Sequence, residues 1–313
     1  MSTIHVQAPG LMTTVQDLGR QGFGPIGVSP SGAADPISLR VGNRLVGNNE
    51  GAAGLEMMLL GGTFTFPQAA IVALTGSDFG ATLDNVPIEL GASVEVRPRQ
   101  TLRVGPTTSG ARSYLCVQGG IAVKPFLGSA STHILSGLGG FEGRPLRKGD
   151  VLRIARASQR FRKRSVAPLA SENFSHRKVL RVTPGPQADW FSKSSQRAFY
   201  AASYRVGEQS NRMGLRLEGA AVTQNSASEM LTEGVSLGAI QVPAGGSPII
   251  LFVEQQTTGG YPKIANVIAA DLHRVGQLRP RDEIRFEPVT FDQARALLIA
   301  QEKLLASREL ILE

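Results

Sequence analysis

The run QQTTGGYPKIA at 255–265 sets amides, hydroxyls, glycines and a Tyr-Pro corner side by side. Glycine forfeits packing inside a strand and proline cannot donate to a ladder, so the run is poor strand interior and must serve something local. A carboxamide carries a donor and an acceptor on one planar group. Gln241 and Gln256, with Thr257, Thr258 and Tyr261 nearby in sequence, therefore suit recognition of another planar amide or ureido group, and Gly259 and Gly260 make room for it. Upstream, EQSNRMGLRLEG puts Arg212 at a strand entry. Its planar fork suits either a substrate carboxylate or carbonyl, or the tying down of a neighbouring loop.

A second set of polar residues lies near the N-terminus. TTVQDLGRQGFGPIGVSPSGAADP concentrates Gln16, Asp17 and Arg20 among glycines. Asp17 and Arg20, three residues apart, suit an ion pair that either pins a loop or faces substrate. Asn43 falls on a predicted helix, and Glu56 sits between Leu55 and Met57, where a carboxylate is costly unless paired. Glu56 is thus either a proton-moving group or the anchor of a loop. The polar loop at 128–146, GSASTHILSGLGGFEGRPL, is expected to line a cleft. Asp17, Glu56 and Arg212 are the catalytic candidates. The binding candidates are Gln16, Arg20, Asn43, Gln241, Gln256, Thr257, Thr258, Gly259, Gly260 and Tyr261. No metal is expected: His5, His133, His176 and His273 are scattered singly, and the single cysteine, Cys116, lies in the apolar run SYLCVQG as a small buried hydrophobe.

The elements that position these residues follow from composition. With 313 residues, 42% hydrophobic and 19% charged, the chain can bury full cores, and its length suggests two domains. It has 36 glycines and 18 prolines and few long helical periods, which favours a β-dominated architecture of short strands. Strand runs include 63–66, 69–76, 92–97, 112–119, 247–254 and 282–289. One helix should start at Asp35-Pro36 and run through PISLRVGNRLV, with the carboxylate as cap. Another follows Thr290 and should pack on or cap a barrel. LRKGDVLRI at 146–154 echoes LRPRDEIRF at 278–286, each delivering a closing strand, which points to an internal duplication. The expected division is an N-terminal β domain over 1–160, a basic linker over 161–177, and a C-terminal β domain with a terminal helix over 178–313.

The net charge of +8 is local rather than general, because eleven Lys or Arg fall between Arg147 and Arg181 against Asp150 and Glu172. No aromatic series interleaves them, so a nucleic-acid or membrane patch is not expected. No run of about 18 apolar residues and no signal-like N-terminus is present, and a cytoplasmic protein is expected.

QDLGRQG, SGAADP, GNRLVGN with EGAAGLE, QGGI, STH, NRMGLRLEG, QVPAGGSPIIL and QTTGGYPKIA occur in that order, from about Gln16 to Phe286. Together they resemble the biotin-dependent carboxyltransferase family, also called allophanate hydrolase subunit 2. The resemblance implies two tandem cyclophilin-like β-barrel domains. It implies one of three roles: the C-type subunit of an ATP-dependent 5-oxoprolinase working on a lactam, a carboxyltransferase moving a carboxyl group from carboxybiotin to urea or a related amide, or a KipA-type protein binding a kinase inhibitor. The chain carries no P-loop or ATP-grasp signature and no Met-Lys-Met biotinylation site. ATP would therefore be used by a complex, and biotin would be carried by a partner. The expected companions are the paralogous B-type subunit and, for a 5-oxoprolinase, the A-type subunit. Three residues depart from the pattern: Asn211 where Asp is expected, Glu254 where Asp usually precedes QTTGGY, and Arg281 in place of a turn glycine.

Overall fold

The computed structural model describes residues 2–156, 162–168, 177–225 and 230–313. Strands dominate, and the chain divides into two compact units that are not contiguous in sequence. The first comprises Met1–Arg20, Ser31–Ser175 and Leu304–Glu313; the second comprises Gln21–Pro30 and His176–Lys303. This partition differs from the expected 1–160, 161–177 and 178–313, because Gln21–Pro30 joins the second unit and the last ten residues join the first.

The first unit has two antiparallel sheets around one core. The seven-stranded sheet runs Ile121–Ala122, Val151–Ile154, Thr3–Ala8, Thr63–Thr65, Thr101–Arg103, Thr82–Leu83 and Val86–Pro87. The five-stranded sheet runs Met12–Gln16, Gly54–Met58, Arg112–Val117, Ala70–Gly76 and Ser93–Val96. Ile4, Val6, Leu55, Met57, Phe64, Leu102, Leu115 and Leu152 meet in that core. Arg112–Val117 is buried along its whole length because its alternate residues face different layers. Leu115 and Val117 enter the core, while Tyr114 and Cys116 face a second cluster with Ile37, Leu39 and Val41 of the helix Pro36–Leu45. That helix starts where the sequence predicts, with Asp35 accepting from Ser38 N at 3.0 Å. Gly42 lets it approach the sheet, since a Cβ there would lie 2.7 Å from Cys116 Sγ. Burial pushes the Cys116 thiol far up, consistent with a packing role.

Part of the segment expected as a linker is structured within this unit. Ser165–Val166 pairs with Ile311–Leu312, and Ser93 N donates to Arg164 O at 2.8 Å. The rest of the expected linker, at 161 and 169–176, lies outside the described residues.

The second unit is a closed barrel. Its order is Val179–Pro184, Lys263–Val267, Ala239–Gln241, Ile249–Leu251, Gly214–Gly219, Tyr204–Val206 and Glu283–Pro288, which returns to Val179–Pro184 in parallel. A helix the sequence reading missed, Lys193–Ala201, is capped by Ser192 and packs Phe199 on Tyr204 and Phe286. The terminal helix, Phe291–Ala306, half-buries Ala294, Leu297, Leu298 and Leu304 along one face, buries Leu305, leaves Phe291 70% exposed, and donates from Gln301 Nε2 to Ala270 O at 2.9 Å.

The echoed segments adopt one turn twice. Arg147 N donates to Asp150 Oδ2 at 2.7 Å, and Arg279 N donates to Asp282 Oδ2 at 2.9 Å. Gly149 and Arg281 hold the left-handed conformation at φ 92° and 73°. Each turn then docks on a neighbouring strand by the same pair of bonds. Val6 N donates to Asp150 O and Val206 N to Asp282 O, while Gly149 N and Arg281 N donate back to Val6 O and Val206 O.

Candidate functional site

In the first unit, Asp17 follows directly on the strand Met12–Gln16 and is half-buried. Its carboxylate accepts from Ser129 Oγ at 2.6 Å, Ser131 Oγ at 2.5 Å, Gly19 N at 2.8 Å and Ala130 N at 2.6 Å. Arg20 donates to Ser131 O at 2.5 Å and lies over the Phe126 ring. Asp17 and Arg20 thus both hold the 126–132 segment, where the sequence alone suggested that they pair with each other. Gln16 is fully buried, and its Nε2 donates to Thr14 Oγ1 and Thr132 O while its Oε1 accepts no hydrogen bond from the described residues. Ser129 and Ser131 are the partners the sequence reading missed; a serine-rich loop carries no sign of which carboxylate it will close on.

Glu56 lies in the strand between Met12–Gln16 and Arg112–Val117, opposite Thr14 on one side and Tyr114 on the other. Its Oε2 accepts from Tyr114 Oη at 2.7 Å and Ala34 N at 2.8 Å, and its Oε1 from Arg112 Nε at 3.3 Å. Asp35 N in turn donates to the Tyr114 hydroxyl at 2.7 Å. Burial first, and the neighbouring Glu56 charge second, push the Tyr114 hydroxyl well above its ordinary range. Of the two readings of Glu56, this geometry is that of a loop anchor. Asn43 is fully buried, with Nδ2 donating to Glu50 O and Ala52 O and Oδ1 accepting from Asn48. Its amide is engaged in closing the 48–52 loop.

The second unit gathers the other candidates. Gln241 ends its strand at a register shift against Lys263–Val267, a bulge that re-aims the side chain. It is 1% exposed, accepts from Gln256 Nε2 at 3.3 Å, and its own Nε2 has no acceptor among the described residues. Thr258–Gly259 forms a short strand with Glu233–Gly234. Gly259 has a steric reason to be glycine, since a Cβ would lie 2.5 Å from Gln241 Nε2. Thr257 O accepts from Val235 N at 3.1 Å, while Gly260 and Tyr261 are exposed.

Arg212 precedes the strand Gly214–Gly219, and its Nε donates to Glu254, with both side chains buried. Glu254 N also donates to Arg212 O at 2.8 Å. Arg212 therefore pins the turn that launches residues 255–261. Next to this cluster stands a buried cation that the sequence reading missed. Lys263, the register partner of Gln241, donates from Nζ to Glu233 Oε1 at 2.5 Å. The signal was present as a lysine opening a mostly apolar strand, KIANV. Glu233 also accepts from Gln187 Nε2 at 3.0 Å, and these two donors, Lys263 first, hold its carboxyl below the usual range.

Among known proteins, the chain is 39% identical to the C subunit of 5-oxoprolinase from Escherichia coli over 285 residues, covering 91% of each chain. It is 35% identical to urea amidolyase of Saccharomyces cerevisiae, covering 98% of this chain and 18% of that one. The crystal structure of the Kluyveromyces lactis urea amidolyase superposes with a TM-score of 0.90 at 33% identity, over 99% of this chain and 21% of that protein. The chain thus spans about a fifth of the amidolyases it matches. Residues 26–288 match the carboxyltransferase domain, subdomains A and B. With that span matched and these relatives alongside it, the chain belongs to the carboxyltransferase domain family.

Proposed function

We propose that this chain is the C-type subunit of an ATP-dependent 5-oxoprolinase complex, which opens the lactam of 5-oxo-L-proline to L-glutamate. The observation that carries the reading is length: similarity to the bacterial protein spans 91% of both chains, whereas the amidolyase match takes up 18% of that protein. The orphaned Gln241 Nε2 and the adjacent Gln256 offer the donor and acceptor that a lactam edge needs, with Gly259 adding no side chain against them. Arg212 serves as a positioning residue through Glu254. Asp17 and Glu56 serve by holding the 129–131 and 33–35 segments. ATP is consumed by the complex, with the A-type and B-type subunits as companions.

A lactam is a resonance-stabilised amide. Its opening adds water across the ring C–N bond, the hydroxyl going to carbon and the proton to nitrogen, and it proceeds more readily once the oxygen is activated. The test is co-purification with the A-type and B-type subunits, followed by ATP-dependent release of glutamate from 5-oxo-L-proline. A reconstituted complex that ignores 5-oxoproline removes the reading. The superposition on urea amidolyase favours one alternative, carboxyl transfer to urea or a related amide, in which the same glutamine pair would hold a ureido ring carried by a biotinylated partner. Avidin-sensitive activity with such a partner would identify it.

A further inference from the structure

The Lys263–Glu233 pair is built asymmetrically. Lys263 belongs to a barrel strand and its side chain is 4% exposed, so its ammonium has left water and requires an anion beside it. Glu233, which supplies that anion, is 45% exposed and sits on a two-residue strand that pairs with Thr258–Gly259. Its neighbours Leu231, Thr232 and Gly234 are exposed as well, and the half-buried Val235 beyond them ties the segment to Thr257 O through its amide at 3.1 Å. The cation is thus part of the scaffold, and its counter-ion is carried by a thin surface strip.

A second unmet demand lies beside the first. Gln241, directly across the ladder from Lys263, buries an Nε2 with no acceptor among the described residues. Residues directly opposite on neighbouring strands present their side chains on one face. Gly259, the register partner of Glu233, lies against that same Nε2. Both described donors to Glu233, Lys263 and Gln187, go to Oε1. One resident carboxylate therefore leaves an amide donor unsatisfied that a differently placed carboxylate would satisfy.

We propose that Lys263 and Gln241 form a carboxylate-binding subsite whose resident anion is Glu233, and that a ligand carboxylate enters by exchanging with it. The exchange is charge for charge, so Lys263 is never left unpaired. The resident anion acts as an internal competitor and lowers apparent affinity by the fraction of time the subsite is closed. The identity of the ligand as a lactam carboxylate rests on the function proposed above; the subsite itself rests on the geometry.

The test is calorimetric titration of the full chain, as wild type, Glu233→Gln, and Glu233→Gln with Lys263→Met, using acetate, 5-oxo-L-proline and the neutral lactam 2-pyrrolidinone. Glu233→Gln keeps an oxygen for Gln187 and removes the competing charge. It should bind acetate and 5-oxo-L-proline about tenfold more tightly than wild type, with 2-pyrrolidinone unchanged. The added Lys263→Met should abolish the gain, and Lys263→Arg in its place should retain part of it, which covers a poorly folding methionine variant. Unchanged or weaker acetate binding in Glu233→Gln, or a gain that survives Lys263→Met, overturns the subsite. A gain for acetate without binding of 5-oxo-L-proline supports the subsite and removes the substrate. Lactam opening by the assembled complex with no gain for acetate overturns the subsite and leaves the proposed function standing.

Discussion

Tyr114 and Gly259 show how much one atom decides in this chain. The Tyr114 hydroxyl is both donor to Glu56 and acceptor from Asp35 N, in a place water does not reach. Tyr114→Phe should leave a buried amide and a carboxylate oxygen short of partners and cost roughly 1–3 kcal/mol, read as a lower urea midpoint. Gly259→Ala places a methyl 2.5 Å from Gln241 Nε2, a contact real side chains do not tolerate. Since Gly259 lies on a peripheral two-stranded pair, the substitution should move the melting temperature little while lowering lactam-opening activity of the assembled complex by about tenfold or more. The need for glycine there is readable in the run itself; the atom that demands it, from a strand about twenty residues upstream, is not.

At the scale of elements, the duplicated closing turn gives two independent tests. Arg281 holds a left-handed backbone at φ 73° where its counterpart is Gly149, and its guanidinium forms an exposed pair with Glu208 that contributes little. Left-handed backbone costs a side chain about 1–2 kcal/mol, partly offset by the extra freedom glycine gives the unfolded chain. Arg281→Gly should therefore stabilise the protein by about 0.5–1 kcal/mol in chemical denaturation. In the first copy, Arg144 grips Asp150 by 2.8 and 3.0 Å bonds and, with the Arg147 amide, holds its carboxyl below the ordinary aspartate range. A depressed carboxyl stabilises the fold above its unfolded pKa, and that contribution disappears as pH falls through the folded one. Asp150→Asn should accordingly be less stable than wild type at pH 7, and the gap should close below about pH 4. The matching Leu, Arg and Asp positions make the repeat visible in the sequence alone. The conformation of Arg281 is not visible there, because its residue type argues against it.

At the scale of the whole molecule, the C-terminus returns to the unit that the N-terminus begins. Leu305 and Leu310 are fully buried in the cluster with Ile37, Leu39 and Tyr114, and Ala167 N donates to Leu310 O at 3.0 Å. Leu310→Ala should cost about 2–5 kcal/mol, as a cavity in a packed core does, and should be detected as earlier loss of structure around the helix Pro36–Leu45 by hydrogen exchange. A chain divided simply at residue 160 would predict the loss in the C-terminal half. Within the second unit, the barrel brings Gln241, Gln256, Gly259 and Lys263 into one cluster, although they are spread along the chain with other strands between them.

The residues alone determined that the chain is β-dominated, where its helix at Asp35-Pro36 starts, that one turn occurs twice, and that the 255–265 run is a polar feature, although its Thr258–Gly259 and the start of Lys263–Val267 pair as strands. Each of these rests on local chemistry: the backbone freedom of glycine, the carboxylate cap, the alternation of apolar side chains. Tertiary structure alone decided what each buried polar group is for. Asn43 and Glu56 look like ligand-facing residues in the sequence because burial and polarity are visible there, yet a loop 5–9 residues away consumes the first and a tyrosine 58 residues away the second. Lys263 shows in the sequence only as a lysine at the start of KIANV, and its role stays hidden for the converse reason. Its meaning depends on Glu233 and Gln241, which only pairing across the barrel brings within reach. A hydrogen bond is satisfied in space, and no spacing along the chain specifies which distant atom will satisfy it.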